Sequence, residues 1–130
     1  MNDAYQLYAP PAFWALTPEL REILELNGCG PRGFFGLLVP DTVYGLSIHE
    51  ACDIHDYMYL VGTENKDKEE ADRVFKNNMT RIILRDTKFA PLRYLRLRRV
   101  FVYYKAVDTL GGVWFWREKN PPETLGLVTA

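Results

Sequence analysis

The tightest constraint on how this chain can fold is a pair of helix-start signatures joined by one short link. Ser47 is followed three residues later by Glu50, and Asp67 by Glu70. Each pair has the spacing of a capping box, in which two side chains satisfy the free N–H groups of a first helical turn. The first box opens a helix predicted from about Ile48 to Val61 and stopped at Gly62; the second opens one from about Lys68 to Leu84. If Gly62 to Asp67 is a tight reversal, the two helices run antiparallel, with the fold-back near residue 64 or 65. A partner level with residue 55 then lies near residue 74.

The remaining punctuation also reads as helical. Thr17-Pro18-Glu19 supplies an N-cap, a proline at the first helical position and an acid in the first turn. Leu20, Ile23 and Leu24 give that short helix an apolar face, and Asn27-Gly28 ends it. Cys29 to Tyr44 is a loop rich in Gly and Pro. Pro91 starts a fourth helix, predicted to run to about Leu110 and to stop at Gly111-Gly112. Residues 1–16 read as an irregular arm packed on the body. Residues 113–130, with Trp114-Phe115-Trp116 and Pro121-Pro122, read as a tail. The expectation is one all-α domain spanning 1–130, since 130 residues with 48% hydrophobic content can bury one core but not two.

Charge and hydropathy narrow the function. Sixteen basic and 17 acidic residues nearly cancel, which argues against nucleic-acid binding. No stretch approaches 18 uninterrupted apolar residues, so no transmembrane helix is expected. No basic segment followed by an apolar run marks a signal peptide. Lys88, Arg93, Arg96, Arg98, Arg99 and Lys105 form a basic stretch without an acid. They can face anionic headgroups or simply water. The two cysteines allow one disulfide or two thiols.

Chemistry concentrates in Cys52-Asp53-Ile54-His55-Asp56-Tyr57-Met58-Tyr59. His55 and Asp56 stand about 100° apart around a helix, giving a proton acceptor beside a hard-cation ligand. Cys52, His55 and Tyr59 fall along one stripe. On the facing helix Asp72 lies two residues from the expected level, about 3 Å along the axis. Its carboxylate can take one imidazole nitrogen and leave the other as a base. Taken singly, each residue has a blander role: His55 and Tyr59 as core, Asp56 as a solvated carboxylate, Asp72 as a first-turn acid favoured by the helix dipole. His49, Cys52 and His55, with Cys29, also have zinc-like spacing, although these positions precess around the helix.

In order along the chain, four local features resemble the phospholipase A2 superfamily. Asn27-Gly28-Cys29-Gly30-Pro31-Arg32-Gly33 is similar to its glycine-rich calcium loop. Cys52-x-x-His55-Asp56-x-x-x-Tyr59 is similar to its catalytic helix, with Met58 where the family has a second cysteine. Ala71-Asp72-Arg73 resembles its supporting segment, and Cys29 and Cys52 fall where the family has a disulfide. The resemblance covers roughly Thr17 to Leu84, and the short inter-helix link is more like the compact bacterial or viral members.

The resemblance implies a fold with two antiparallel central helices carrying the site, preceded by a short helix and the calcium loop. It implies Ca2+ held by Asp56 and the carbonyls of Gly28, Gly30 and Arg32, with His55, Asp72 and Tyr59 as catalytic residues. The expected substrate is a glycerophospholipid at a membrane or micelle surface, cleaved at its sn-2 ester by a His55-activated water. No G-x-S-x-G suggests a serine hydrolase. The rival expectations are a catalytically silent relative acting as a binding module, and a small zinc-binding protein. Phe34 to Val39 lines an acyl channel or forms a buried loop, and Trp114 and Trp116 are core or interfacial residues. Localisation stays open between the missing signal peptide and the disulfide that the resemblance implies.

Overall fold

The computed structural model describes residues 6–23, 40 and 42–119, with backbone alone at 113, 114 and 117–119. It is predominantly helical, in keeping with the all-α expectation. The elements in order are α1 (Pro11–Trp14), α2 (Pro18–Ile23), β1 (Thr42–Val43), β2 (Leu46–Ser47), α3 (His49–Val61), α4 (Asn65–Asp86) and α5 (Ala90–Lys119). Among the described residues, no helix is long and apolar enough to cross a membrane.

The antiparallel pair forms, but neither of the expected capping boxes does. The expected box at Asp67 and Glu70 is replaced by one at Glu64 and Asp67, so α4 starts at Asn65, three residues early. The Asp67 carboxylate accepts from the N–H of Thr63 at 2.9 Å and of Glu64 at 3.0 Å. Asp67 therefore serves as the third residue of the helix and not as its cap. The expected box at Ser47 and Glu50 does not form either. Ile48 occupies the cap position of α3, and Ser47 belongs to β2, its Oγ accepting from His49 N–H at 3.3 Å. Thr17 behaves as expected, accepting from Leu20 N–H at 3.1 Å.

Periodicity explains how α4 packs. Lys68, Ala71, Asp72, Phe75, Asn78, Met79, Ile82 and Ile83 are buried, recurring every three or four residues along one stripe. α3 instead buries Ala51, Cys52, Asp53, Ile54, His55, Tyr57 and Tyr59, most of its circumference. α4 packs on both α3 and α5. The N-terminal residues 6–10 are irregular and lie on the body: Asn78 receives Tyr8 N–H at 2.9 Å and donates to Tyr8 O at 2.8 Å. The expected arm nevertheless contains α1, started by Pro11 at its first position, which places Phe13 in the core against Tyr57.

Two further expectations change. The segment before α3 forms a hairpin, pairing Thr42 with Ser47 and Val43 with Leu46 around Tyr44 and Gly45 at φ 45° and 80°. Positive φ at both central residues is the turn that suits the twist of paired strands. Gly111-Gly112 does not end the last helix, which continues to Lys119. Gly111 is there for contact: a Cβ at that position would lie 2.5 Å from the Tyr59 hydroxyl oxygen. Phe115, expected in a tail, is fully buried on α5 and meets the Tyr59 ring edge-on at 5.2 Å.

The basic stretch on α5 serves largely as a latch. Arg96 donates from Nε to Val43 O at 3.2 Å, from its guanidinium to Tyr44 O at 2.7 Å, and to Thr87 Oγ1 at 2.8 Å. Arg93 donates to Thr87 O at 3.0 Å, and Arg99 to the Tyr44 hydroxyl at 2.8 Å. Tyr103 donates to Thr42 O at 2.9 Å. Three of the four arginines thus grip the hairpin and the α4–α5 corner. The outward face of α5 exposes Tyr94, Leu95, Arg98, Phe101, Val102 and Lys105.

Candidate active site

The short Gly62–Glu64 link brings α3 and α4 into register so that His55 faces Asp72. The two-residue offset expected between their levels is bridged by the side chains: His55 Nε2 lies 2.8 Å from Asp72 Oδ1. The Tyr59 hydroxyl donates to the same oxygen at 2.6 Å. Gly62 makes the link possible, since a Cβ there would stand 2.9 Å from Asp67 Cβ and 3.1 Å from Phe115 Cε1. The histidine ring is held by stacking on Phe75, at 4.6 Å, and by the tilted Tyr59 ring at 4.3 Å.

A fourth member, Lys68, joins the three expected residues. Its Nζ donates to Asp72 Oδ2 at 2.6 Å, to Asp108 O at 3.1 Å and to Val107 O at 3.4 Å. The sequence did carry a signal: Lys68 and Asp72 are four residues apart on one helix, a spacing that pairs opposite charges. The surprise is burial, which leaves the lysine side chain 9% and the aspartate 0% exposed. Losing one partner of a buried pair costs about 3–5 kcal/mol, because the other charge is stranded. The pair therefore stands or falls together.

Protonation follows from these contacts. Burial alone would raise the Asp72 pKa, but hydrogen bonds from His55, Lys68 and Tyr59 outweigh it and hold the carboxyl below its usual range. An ionised carboxylate only accepts, so Nε2 of His55 carries the proton and Nδ1 is the basic nitrogen. Burial, helped by the Lys68 charge, lowers the His55 pKa despite the pull of Asp72. The imidazole is neutral at pH 7. Burial and the neighbouring Asp72 push the Tyr59 phenol far up, so it stays a donor. The cluster as a whole holds one cation, one anion and two neutral rings.

The other expected residues fall into two groups. Asp56 is half-buried on α3, with its charge close enough to bear on Tyr59. Gly28, Gly30 and Arg32, expected as carbonyl ligands, lie outside the described residues, as do Cys29 and Phe34 to Val39. Cys52 is fully buried and is not a free thiol. For a hard cation, Asp56 is the right chemistry, a carboxylate beside the candidate base. Among the described residues no group of three or more His, Cys, Asp or Glu could hold a metal, the His49, Cys52 and His55 set included. His49 instead pairs with Asp53 at 3.2 Å.

Comparison of the chain with known protein families, curated proteins and solved structures returns no match.

Proposed function

We propose that the chain is a calcium-dependent lipid esterase of the phospholipase A2 type, cleaving the sn-2 ester of glycerophospholipids. The observation that carries this reading is the Asp72 carboxylate bonded at one oxygen to both His55 Nε2 and the Tyr59 hydroxyl. That arrangement sets the tautomer with the proton on Nε2 and makes Nδ1 the basic nitrogen, the state a general base needs. Supporting it are the neutral state of the imidazole at pH 7 and the position of Asp56 next to it.

In this reading Nδ1 takes a proton from water as the water oxygen bonds to the sn-2 acyl carbon. The imidazolium, steadied by Asp72, then gives that proton to the departing glycerol oxygen as the ester bond breaks. Fatty acid and lysophospholipid leave, and His55 is neutral again. Tyr59 keeps its hydrogen bond to Asp72 Oδ1 while the charge on the ring changes. Calcium, held by Asp56 with the carbonyls of Gly28, Gly30 and Arg32, would supply positive charge for the phosphate and the developing oxyanion.

A second reading has its own support. His55 is 1% exposed, and Asp72 is 0% exposed with both oxygens bonded, as in a structural core. A phospholipase A2-like module without turnover would keep such a cluster for stability alone. Vesicles carrying a labelled sn-2 chain separate the two readings. Release with millimolar calcium, abolished by chelator and by His55→Gln in a variant that stays folded, supports hydrolysis. No release from wild-type protein, or release untouched by chelation, refutes it. Unfolding of His55→Gln together with an inactive wild type establishes the structural role.

A further inference from the structure

Lys68 is the member of the buried cluster to which the proposed hydrolysis gives no part. We propose that Lys68 is a positioning residue: its ammonium fixes the rotation of the Asp72 carboxylate so that Oδ1 stays aimed at His55 and Tyr59. A carboxylate turns easily about its last torsion, where the preference is broad and two-fold. His55 and Tyr59 both bond Oδ1, so by themselves they leave Oδ2 without a hold. Lys68 supplies it at 2.6 Å.

The ammonium is in turn braced from outside its own helix. An –NH3+ group has three donors, and three acceptors surround it: Asp72 Oδ2, Val107 O and Asp108 O. The two carbonyls belong to α5, so the brace does not shift with α4. A carbonyl has two lone pairs and can take this bond beside its helical one. Gly112 of α5 lies beside the ammonium stem, where a Cβ would make only ordinary contact, 3.8 Å from Lys68 Cε. Lys68 is joined to His55 by hydrogen bonds only by way of Asp72, which makes it a support for the base and not a group that meets substrate.

The placement of Lys68 can be tested without any activity. In wild-type protein, the Lys68 ammonium should give a slowly exchanging 15N–1H signal with a coupling across the hydrogen bond to the Asp72 carboxylate carbon. An ammonium that exchanges freely with water overturns the proposal. Lys68→Met should leave the protein helical but move the His55 Nε2 proton resonance, because the carboxylate is released. A folded Lys68→Met with that resonance unmoved also overturns it. Should Lys68→Met fail to fold, the wild-type coupling decides, with Lys68→Arg expected to retain the His55 signal as the conservative rescue.

The kinetic arm rests on the hydrolytic reading. Lys68→Met should lower kcat about tenfold with KM changed less than about twofold, as for loss of a partner that orients a reacting group. An inactive wild type would sink the hydrolytic reading and leave the two magnetic-resonance outcomes to judge Lys68. Full kcat in the folded variant would sink the positioning role and leave hydrolysis intact.

Discussion

A Cβ added to Gly111 would stand 2.5 Å from the Tyr59 hydroxyl oxygen, the same atom that bonds Asp72 at 2.6 Å. Gly111→Ala therefore sets two effects against each other. Alanine is favoured in a helix interior by about 1 kcal/mol, whereas overpacking costs about 1–3 kcal/mol. Overpacking should win, because the atom that must yield is tied to a buried carboxylate. Gly112→Ala makes only ordinary contact, 3.8 Å from Lys68 Cε. Denaturant titration should show Gly111→Ala less stable and Gly112→Ala more stable by about 0.5–1 kcal/mol. The reverse order would remove the close approach as the reason for Gly111.

Tyr59→Phe keeps the ring edge-on to Phe115 and removes only the hydroxyl. A hydrogen bond to a charged acceptor is worth about 1.5–3 kcal/mol. The variant should lose stability in that range while its helix content holds. If the proposed hydrolysis holds, activity should fall less than in His55→Gln, since Asp72 keeps its bonds to His55 and Lys68. Equal losses in the two variants would make Tyr59 a primary catalytic group.

Acid sensitivity has a definite sign. The folded pKa of His55 lies below the ordinary value of 6.5, so protonation favours the unfolded chain. Its stabilising contribution is complete above pH 6.5 and is lost as pH falls from there through the folded pKa. Asp72, depressed below 3.8, adds a second loss only as pH falls below that value. Unfolding midpoints between pH 7.5 and 5 should therefore fall for wild type and stay flatter for His55→Gln. Parallel curves would contradict a neutral His55.

Arg96 spans three elements, bonding Val43 O, Tyr44 O and Thr87 Oγ1. Arg96→Ala should destabilise the protein by about 1–3 kcal/mol and speed amide exchange in the hairpin more than in α3. Lysine presents a point charge in place of a planar fork, so Arg96→Lys should recover little of the loss. Hydrogen exchange resolved by residue reads both effects. Unchanged hairpin protection in Arg96→Ala would show that the latch contributes nothing.

Much of this arrangement was legible in the sequence, and the misreadings share a cause. The antiparallel pair and the facing of His55 and Asp72 follow from the short link after Gly62 and from helical rise, which the sequence carries directly, although neither expected capping box forms. The start of α4 reads three residues late from sequence because Asp67 fits both the cap and the third position, and only the bonds to Thr63 and Glu64 distinguish them. The hairpin was hidden by Tyr44, a bulky residue at φ 45° where asparagine or glycine is the usual signal. Gly111-Gly112 looked like a stop because a glycine that ends a helix and one that admits a neighbour are written alike. Lys68 had the right spacing, but burial of a lysine is decided by α5, far along the chain.

The Lys68–Asp72 cluster draws on three helices at once: α3 brings His55 and Tyr59, α4 the ion pair, and α5 the carbonyls of Val107 and Asp108. A state with α3 and α4 docked but α5 detached would open the ammonium to water and weaken its grip on the aspartate. One with α4 and α5 docked but α3 detached would leave the carboxylate two donors short. Neither half-assembled form gains a fraction of the final stability in proportion to the surface it buries. The cluster thus penalises intermediates, and the described helices should melt in one concerted transition rather than fray one at a time.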